Sequence, residues 1–166
     1  MTFEELGLMP RLVEQLKEQG IVDPTPIQIQ AIPHALAGRD VMGLAQTGTG
    51  KTAAFGLPIM NHLLKVGKKP APKTVRGLIL APTRELAGQI KDNLTAYSQG
   101  THIKVGLVVG GMSISAQVNR LARGTDLLIA TPGRLIDLIE RKAVDLSETQ
   151  FLILDEADQM LDLGFI

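Results

Sequence analysis

The chain has 166 residues, 45% of them hydrophobic and 20% charged, with 17 basic and 17 acidic residues for a net charge of zero. That excludes a disordered chain and a charged tail, and it leaves any hold on nucleic acid to something other than bulk attraction. The absence of cysteine excludes disulfides, iron–sulfur clusters, thiol nucleophiles and Cys-based zinc sites. With no signal-peptide pattern in Met1–Pro10 and no apolar run near the ~18 residues of a membrane span, no membrane partner and a cytoplasmic setting are expected.

In chain order, Pro10 at a first helical position and Gly20 past the end bracket a helix over Arg11–Gln19. Asp23-Pro24-Thr25-Pro26 is a turn, and a second helix starts from Pro26. Short runs rich in Leu, Ile and Val predict strands at Asp40–Ala45, Arg76–Ala81, Lys104–Val109, Asp126–Ala130 and Phe151–Leu154. They are continuous rather than alternating, as strands buried on both faces are. Helical patterns lie between them at Lys51–Lys65, Arg84–Gln99, Ser113–Arg123 and Arg134–Arg141. The alternation predicts an α/β fold, a mostly parallel sheet with helices on both faces. Val66–Thr74, with a glycine, two prolines and three lysines, reads as a loop. His34, His62 and His102 have no metal-ligand spacing. The ending Leu161–Ile166 reads as the middle of a fold, so a fragment is expected.

Ala45-Gln46-Thr47-Gly48-Thr49-Gly50-Lys51-Thr52 follows a strand and opens a helix, the context of a phosphate-binding loop. Glycines let the backbone turn its N–H groups toward phosphate oxygens, and the helix N-terminus adds its dipole. Lys51 is of the type that reaches the β- and γ-phosphates, and Thr52 carries a hydroxyl for Mg²⁺. Ala45 stands where the general pattern has glycine, so a Gly-rich turn with an exposed lysine is the other reading. Phe151-Leu152-Ile153-Leu154 is an apolar strand ending in Asp155-Glu156-Ala157-Asp158. Such an end delivers one carboxylate to Mg²⁺ and another to the attacking water, although acids also suit the first turn of a solvated helix.

Asp155–Asp158 spells DEAD, Pro82-Thr83-Arg84-Glu85 looks like that family's motif Ia, Gly110-Gly111 its GG element, and Thr131-Pro132-Gly133-Arg134 its motif Ib. Thr25-Pro26-Ile27-Gln28 matches the Q motif, and Phe3 stands 17 residues before Gly20, where the family keeps an aromatic. Over essentially its whole length the chain resembles the first RecA-like domain of a DEAD-box ATP-dependent RNA helicase, most similar to the bacterial RhlE group. The alanine at Ala45 is the family's own pattern.

The resemblance implies a RecA-like P-loop fold, incomplete at its C-terminus. Residues 1–39 would form a helical Q-motif region and residues 40–166 part of the ATP-binding domain, with the Ser-Ala-Thr motif and the second RecA-like domain missing. It implies ATP and Mg²⁺ as cofactors. Gln28 would read the adenine edge and Phe3 would stack on the base. Thr47, Gly48, Thr49, Gly50, Lys51 and Thr52 would hold phosphate, Thr52 and Asp155 the Mg²⁺ shell, and Glu156 the water. Thr25 and Gln28 also fit a capping box, and Phe3 fits a core position. Pro82, Thr83, Arg84, Glu85, Gly110, Gly111, Thr131, Pro132, Gly133 and Arg134 would line the RNA surface. Thr83 and Thr131 fit N-caps, and helix N-termini bind backbone phosphate without side-chain charge or base information. Lys65, Lys68, Lys69, Lys73 and Arg76 read as a solvated loop face, with an electrostatic RNA contact as the second reading.

Without the second domain the chain alone is expected to hydrolyse ATP negligibly, and its sheet to be marginally stable. Two other classes stay open: a non-catalytic ATP-gated RNA clamp or scaffold, and a DNA-directed P-loop ATPase.

Overall fold

The computed structural model describes residues 1–38 and 49–155. In chain order they form α1 (Pro10–Glu18), α2 (Pro26–Leu36), α3 (Thr49–Val66), β1 (Val75–Leu80), α4 (Arg84–Tyr97), β2 (Val105–Val108), α5 (Ile114–Leu121), β3 (Thr125–Ala130), α6 (Pro132–Glu140) and β4 (Phe151–Leu154). The strand expected at Asp40–Ala45 lies outside the described residues. So do Ala45–Gly48 of the loop motif and Glu156–Asp158. The chain divides into two compact units, one within Met1–Gly67 plus Asn93–Ile103, the other of Lys68–Asp92 plus the residues from Lys104 onward.

The first unit is helical. Leu12, Val13 and Leu16 form the buried stripe of α1. The helix ends as expected at Gly20, whose φ is +78°. Gly20 N–H donates to Lys17 O at 2.9 Å and Ile21 N–H to Leu16 O at 2.8 Å. These two bonds satisfy the last carbonyls in a Schellman arrangement that needs a left-handed residue at Gly20. At its other end α1 has no side-chain cap of its own. The Met9 N–H is taken instead by Oδ1 of Asn61, a buried residue of α3, at 2.8 Å. Leu57, Met60 and Leu63 carry the buried face of α3. At Gly56 an added Cβ would run into the side chain of Leu94.

The second unit is built on a parallel sheet in the order β2-β3-β1-β4. The register sets Leu78 of β1 beside Leu128 of β3 and Leu152 of β4. All six residues of β3 are buried, which is why its sequence is apolar without alternation. Leu78, Val108 and Leu128 pack with Leu121 of α5 and with Leu135 and Leu138 of α6. Ile79, Leu127 and Ile129 point to the opposite face of the sheet and are buried too. Because every pairing is parallel, the loops that follow all four strands leave from one edge of the sheet. Lys68, Lys69 and Lys73 are exposed before β1, at the other edge. Among the described residues no helix is long and apolar enough to cross a membrane.

Candidate functional site

In the first unit Thr25 and Gln28 form both halves of the capping box. Gln28 N–H donates to Thr25 Oγ1 at 3.4 Å, and Thr25 N–H to Gln28 Oε1 at 2.9 Å. The other end of the same amide, Nε2, donates to Gly50 O at 3.1 Å, in the first turn of α3. Gly50 packs closely there: a Cβ would press on Thr25, 3.0 Å from its Oγ1. The Q-motif helix and the start of the phosphate-loop helix are thus fastened together. Beside them opens a cleft of about 480 Å³ lined by Gly20, Ile21, Asp23, Gln28, Gly50 and Tyr97, among others.

The cap does not use up Gln28. Oε1 has a second lone pair and Nε2 a second hydrogen. One acceptor and one donor remain, the pair that an adenine edge needs. Capping and base reading are therefore compatible on one side chain.

Phe3 is 1% exposed in the core of this unit and does not line the cleft. The aromatic on the cleft wall is Tyr97, whose phenol is pushed above its usual range by burial. Sequence reasoning missed Tyr97, which sits 69 residues after Gln28 with no local pattern to flag it. In α3, Thr52 is buried and Lys51 half-buried.

In the second unit the described segments expected to face RNA all follow strand ends on the same edge. After β1, Thr83 caps α4: its Oγ1 accepts from Leu86 N–H at 3.2 Å. Pro82 is buried, and Arg84 and Glu85 are exposed. After β2 comes Gly110-Gly111, with φ of +78° at Gly111. The Arg84 guanidinium rests where a Cβ on Gly111 would stand. β1 and β2 are two strand spacings apart, so Arg84 reaches across the end of β3, roughly 10 Å.

After β3, Thr131 occupies the N-cap of α6, but its side chain makes no capping bond. Pro132 at the first position has no N–H to lose. The N–H groups of Gly133 and Arg134 are therefore not taken by the cap and suit an anion. Arg134 Nη1 donates to Met112 O and to Gln117 Oε1, each at 2.9 Å. Gln117 lies outside every motif that sequence reasoning used.

After β4, Asp155 is 2% exposed, and its N–H donates to Leu80 O at 2.9 Å, continuing the ladder. Thr47, Gly48 and Glu156 lie outside the described residues, as does the side chain of Thr49. In the first unit Thr52 is buried and carries a hydroxyl; in the second Asp155 is buried and carries a carboxylate; both are oxygen donors of the hard type that Mg²⁺ takes. Among the described residues no cluster of three or more His, Asp or Glu could hold a metal by itself.

A model of the DEAD/DEAH box helicase family matches residues 25–166. The whole chain is 47% identical to the DEAD-box ATP-dependent RNA helicase CshA in each of two strains of Streptococcus pneumoniae, and it spans 31% of the length of those relatives. A crystal structure of the RNA helicase Prp28 from Chaetomium thermophilum bound to ADP superposes with a TM-score of 0.90 at 43% identity, covering 98% of this chain and 40% of that one. With the family model matched over most of its length, the chain belongs to the DEAD/DEAH box helicases.

Proposed function

We propose that this chain is the ATP- and RNA-binding first domain of an ATP-dependent RNA helicase. The observation that carries the reading is Gln28, whose amide ties Thr25 to Gly50 and keeps a donor and an acceptor to spare. One residue then joins the adenine end of a nucleotide site to the turn that opens the phosphate helix. The names of the CshA relatives and the ADP in the Prp28 structure support it.

In this reading residues 1–39 are the Q-motif region and 40–166 the RecA-like part. Nucleotide and Mg²⁺ supply, when bound, the phosphoryl group and the neutralisation of its charge. Thr47, Gly48, Thr49 and Gly50 would offer backbone N–H groups to phosphate, and Lys51 would add a cation. Thr52 and Asp155 would each offer an oxygen to the metal shell, and Glu156 would orient the water. Pro82–Glu85, Gly110-Gly111 and Thr131–Arg134 take the RNA backbone through helix N-termini and two arginines. This explains how a neutral domain holds a polyanion without reading its bases. Turnover draws on a second RecA-like domain.

The test is displacement of a fluorescent ADP analogue. ATP should displace it and GTP should not, and Gln28→Ala should abolish the difference. Equal displacement by both nucleotides overturns the adenine reading. RNA, rather than DNA, should strengthen binding of a non-hydrolysable ATP analogue; a preference for DNA would favour a DNA-directed ATPase.

A further inference from the structure

Gln117 is 4% exposed, one of only two buried residues on α5. A primary amide that deep needs both ends satisfied. Its Nε2 donates to Val109 O at 3.1 Å, and its Oε1 accepts from Arg134 Nη1 at 2.9 Å. The orientation of the amide follows from its partners: reversed, it would set oxygen against a carbonyl and N–H against a guanidinium. Val109 and Met112 flank Gly110-Gly111, and Met112 O accepts from the same Arg134 nitrogen at 2.9 Å. Gln117 and Arg134 therefore brace the glycine turn from both sides and lock it to the loop after β3.

We infer that Gln117 is a positioning residue of the RNA face, and this rests on the RNA reading proposed above. Nη1 of Arg134 is occupied by the brace, while its Nε and Nη2 hydrogens have no partner among the described residues and remain for a phosphate oxygen. A guanidinium already held in place loses less freedom when it binds. Gln117 acts on RNA only through Arg134 and the glycine turn. It has no part in holding nucleotide.

The experiment measures half-saturating RNA and half-saturating ATP separately in the protein. Gln117→Met keeps the side-chain volume and deletes both amide bonds. It should raise half-saturating RNA about tenfold and leave half-saturating ATP within twofold. In a double-mutant cycle, adding Gln117→Met to Arg134→Met should cost clearly less than Gln117→Met costs alone, about threefold at most for the lost bond to Val109. Should Gln117→Met fold poorly, Gln117→Glu decides: its carboxylate keeps an acceptor for Arg134 but sets its other oxygen against Val109 O, and it should raise half-saturating RNA at least about threefold. A merely structural role predicts losses that add in the cycle and reach ATP equally, and either result overturns the inference. RNA dependence unchanged in Gln117→Met while Arg134→Met weakens it also overturns it. If Arg134→Met itself has no effect, the RNA reading of this edge fails, and the inference with it.

Discussion

The amide of Gln28 bridges Thr25 N–H and Gly50 O, so the N-cap of one helix and the first turn of the next share a single side chain. Two demands would therefore meet at this residue, stability and the proposed reading of adenine, and substitutions can separate them. Gln28→Glu keeps an oxygen for the cap and loses the donor to Gly50. With a carboxylate oxygen left facing Gly50 O at a buried position, it should cost stability at least about 1–3 kcal/mol and weaken ATP at least tenfold. Gln28→Ala loses the reciprocal cap and both bridges, and should lower stability by about 1–2 kcal/mol as well. Chemical denaturation and nucleotide titration of the two variants check this.

Phe3 separates the core role from the stacking role. At 1% exposure its ring is part of the packing of the first unit. Phe3→Ala should destabilise by about 3–5 kcal/mol. Phe3→Leu refills most of the space without a π-face. ATP affinity within twofold of the parent in Phe3→Leu is the outcome expected from a buried ring. A tenfold loss with little change in melting would instead place the ring on the base.

At Gly111 the backbone itself is the constraint. A φ of +78° suits glycine and strains any L side chain, and the Arg84 guanidinium already fills the space. Gly111→Ala should cost roughly 1–2 kcal/mol and displace Arg84, so that half-saturating RNA rises severalfold while ATP binding holds. Arg84→Met should relieve the steric part of the cost and not the backbone part. Melting curves of the two single variants and the pair measure the division.

Tyr97 gives a pH signature that can be read without labels, since it is the only tyrosine and there is no tryptophan. Burial disfavours the phenolate, so its pKa in the folded chain lies above the ordinary value of 10.0. The unfolded chain gives up this proton first. Stability should therefore hold below about pH 10 and fall as pH climbs from there through the raised value. Ultraviolet absorbance follows the titration, and Tyr97→Phe should remove this part of the pH dependence.

Much of this arrangement could be read before any coordinates. The strands after Val75 were legible because burial on both faces leaves an apolar run, and their ends fall within a residue or so of the expected ones. Gly20 was legible as a helix stop because few other residues accept its φ. Thr25 and Gln28 were legible as a cap because the partners lie three residues apart. What escaped depends on contacts between distant segments. Asn61 caps α1 from 52 residues away. Gln117 meets Arg134 across 17 residues, and only because β3 lies next to β2 in the sheet. Tyr97 reaches the cleft because the last turns of α4 belong with the first unit, whereas the start of that helix belongs with the second. No local spacing encodes these meetings.

The all-parallel order of the sheet also gives the second unit two opposite rims, one with the loops proposed to meet RNA and one with exposed lysines. The turn that leads into β1, with exposed Lys68, Lys69 and Lys73, opens at the ends from which the strands depart, some 20 Å along the sheet from the loops that follow them. A fluorophore or a short peptide spliced in at Lys69 would ride on the lysine rim, away from the rim where RNA is proposed to lie.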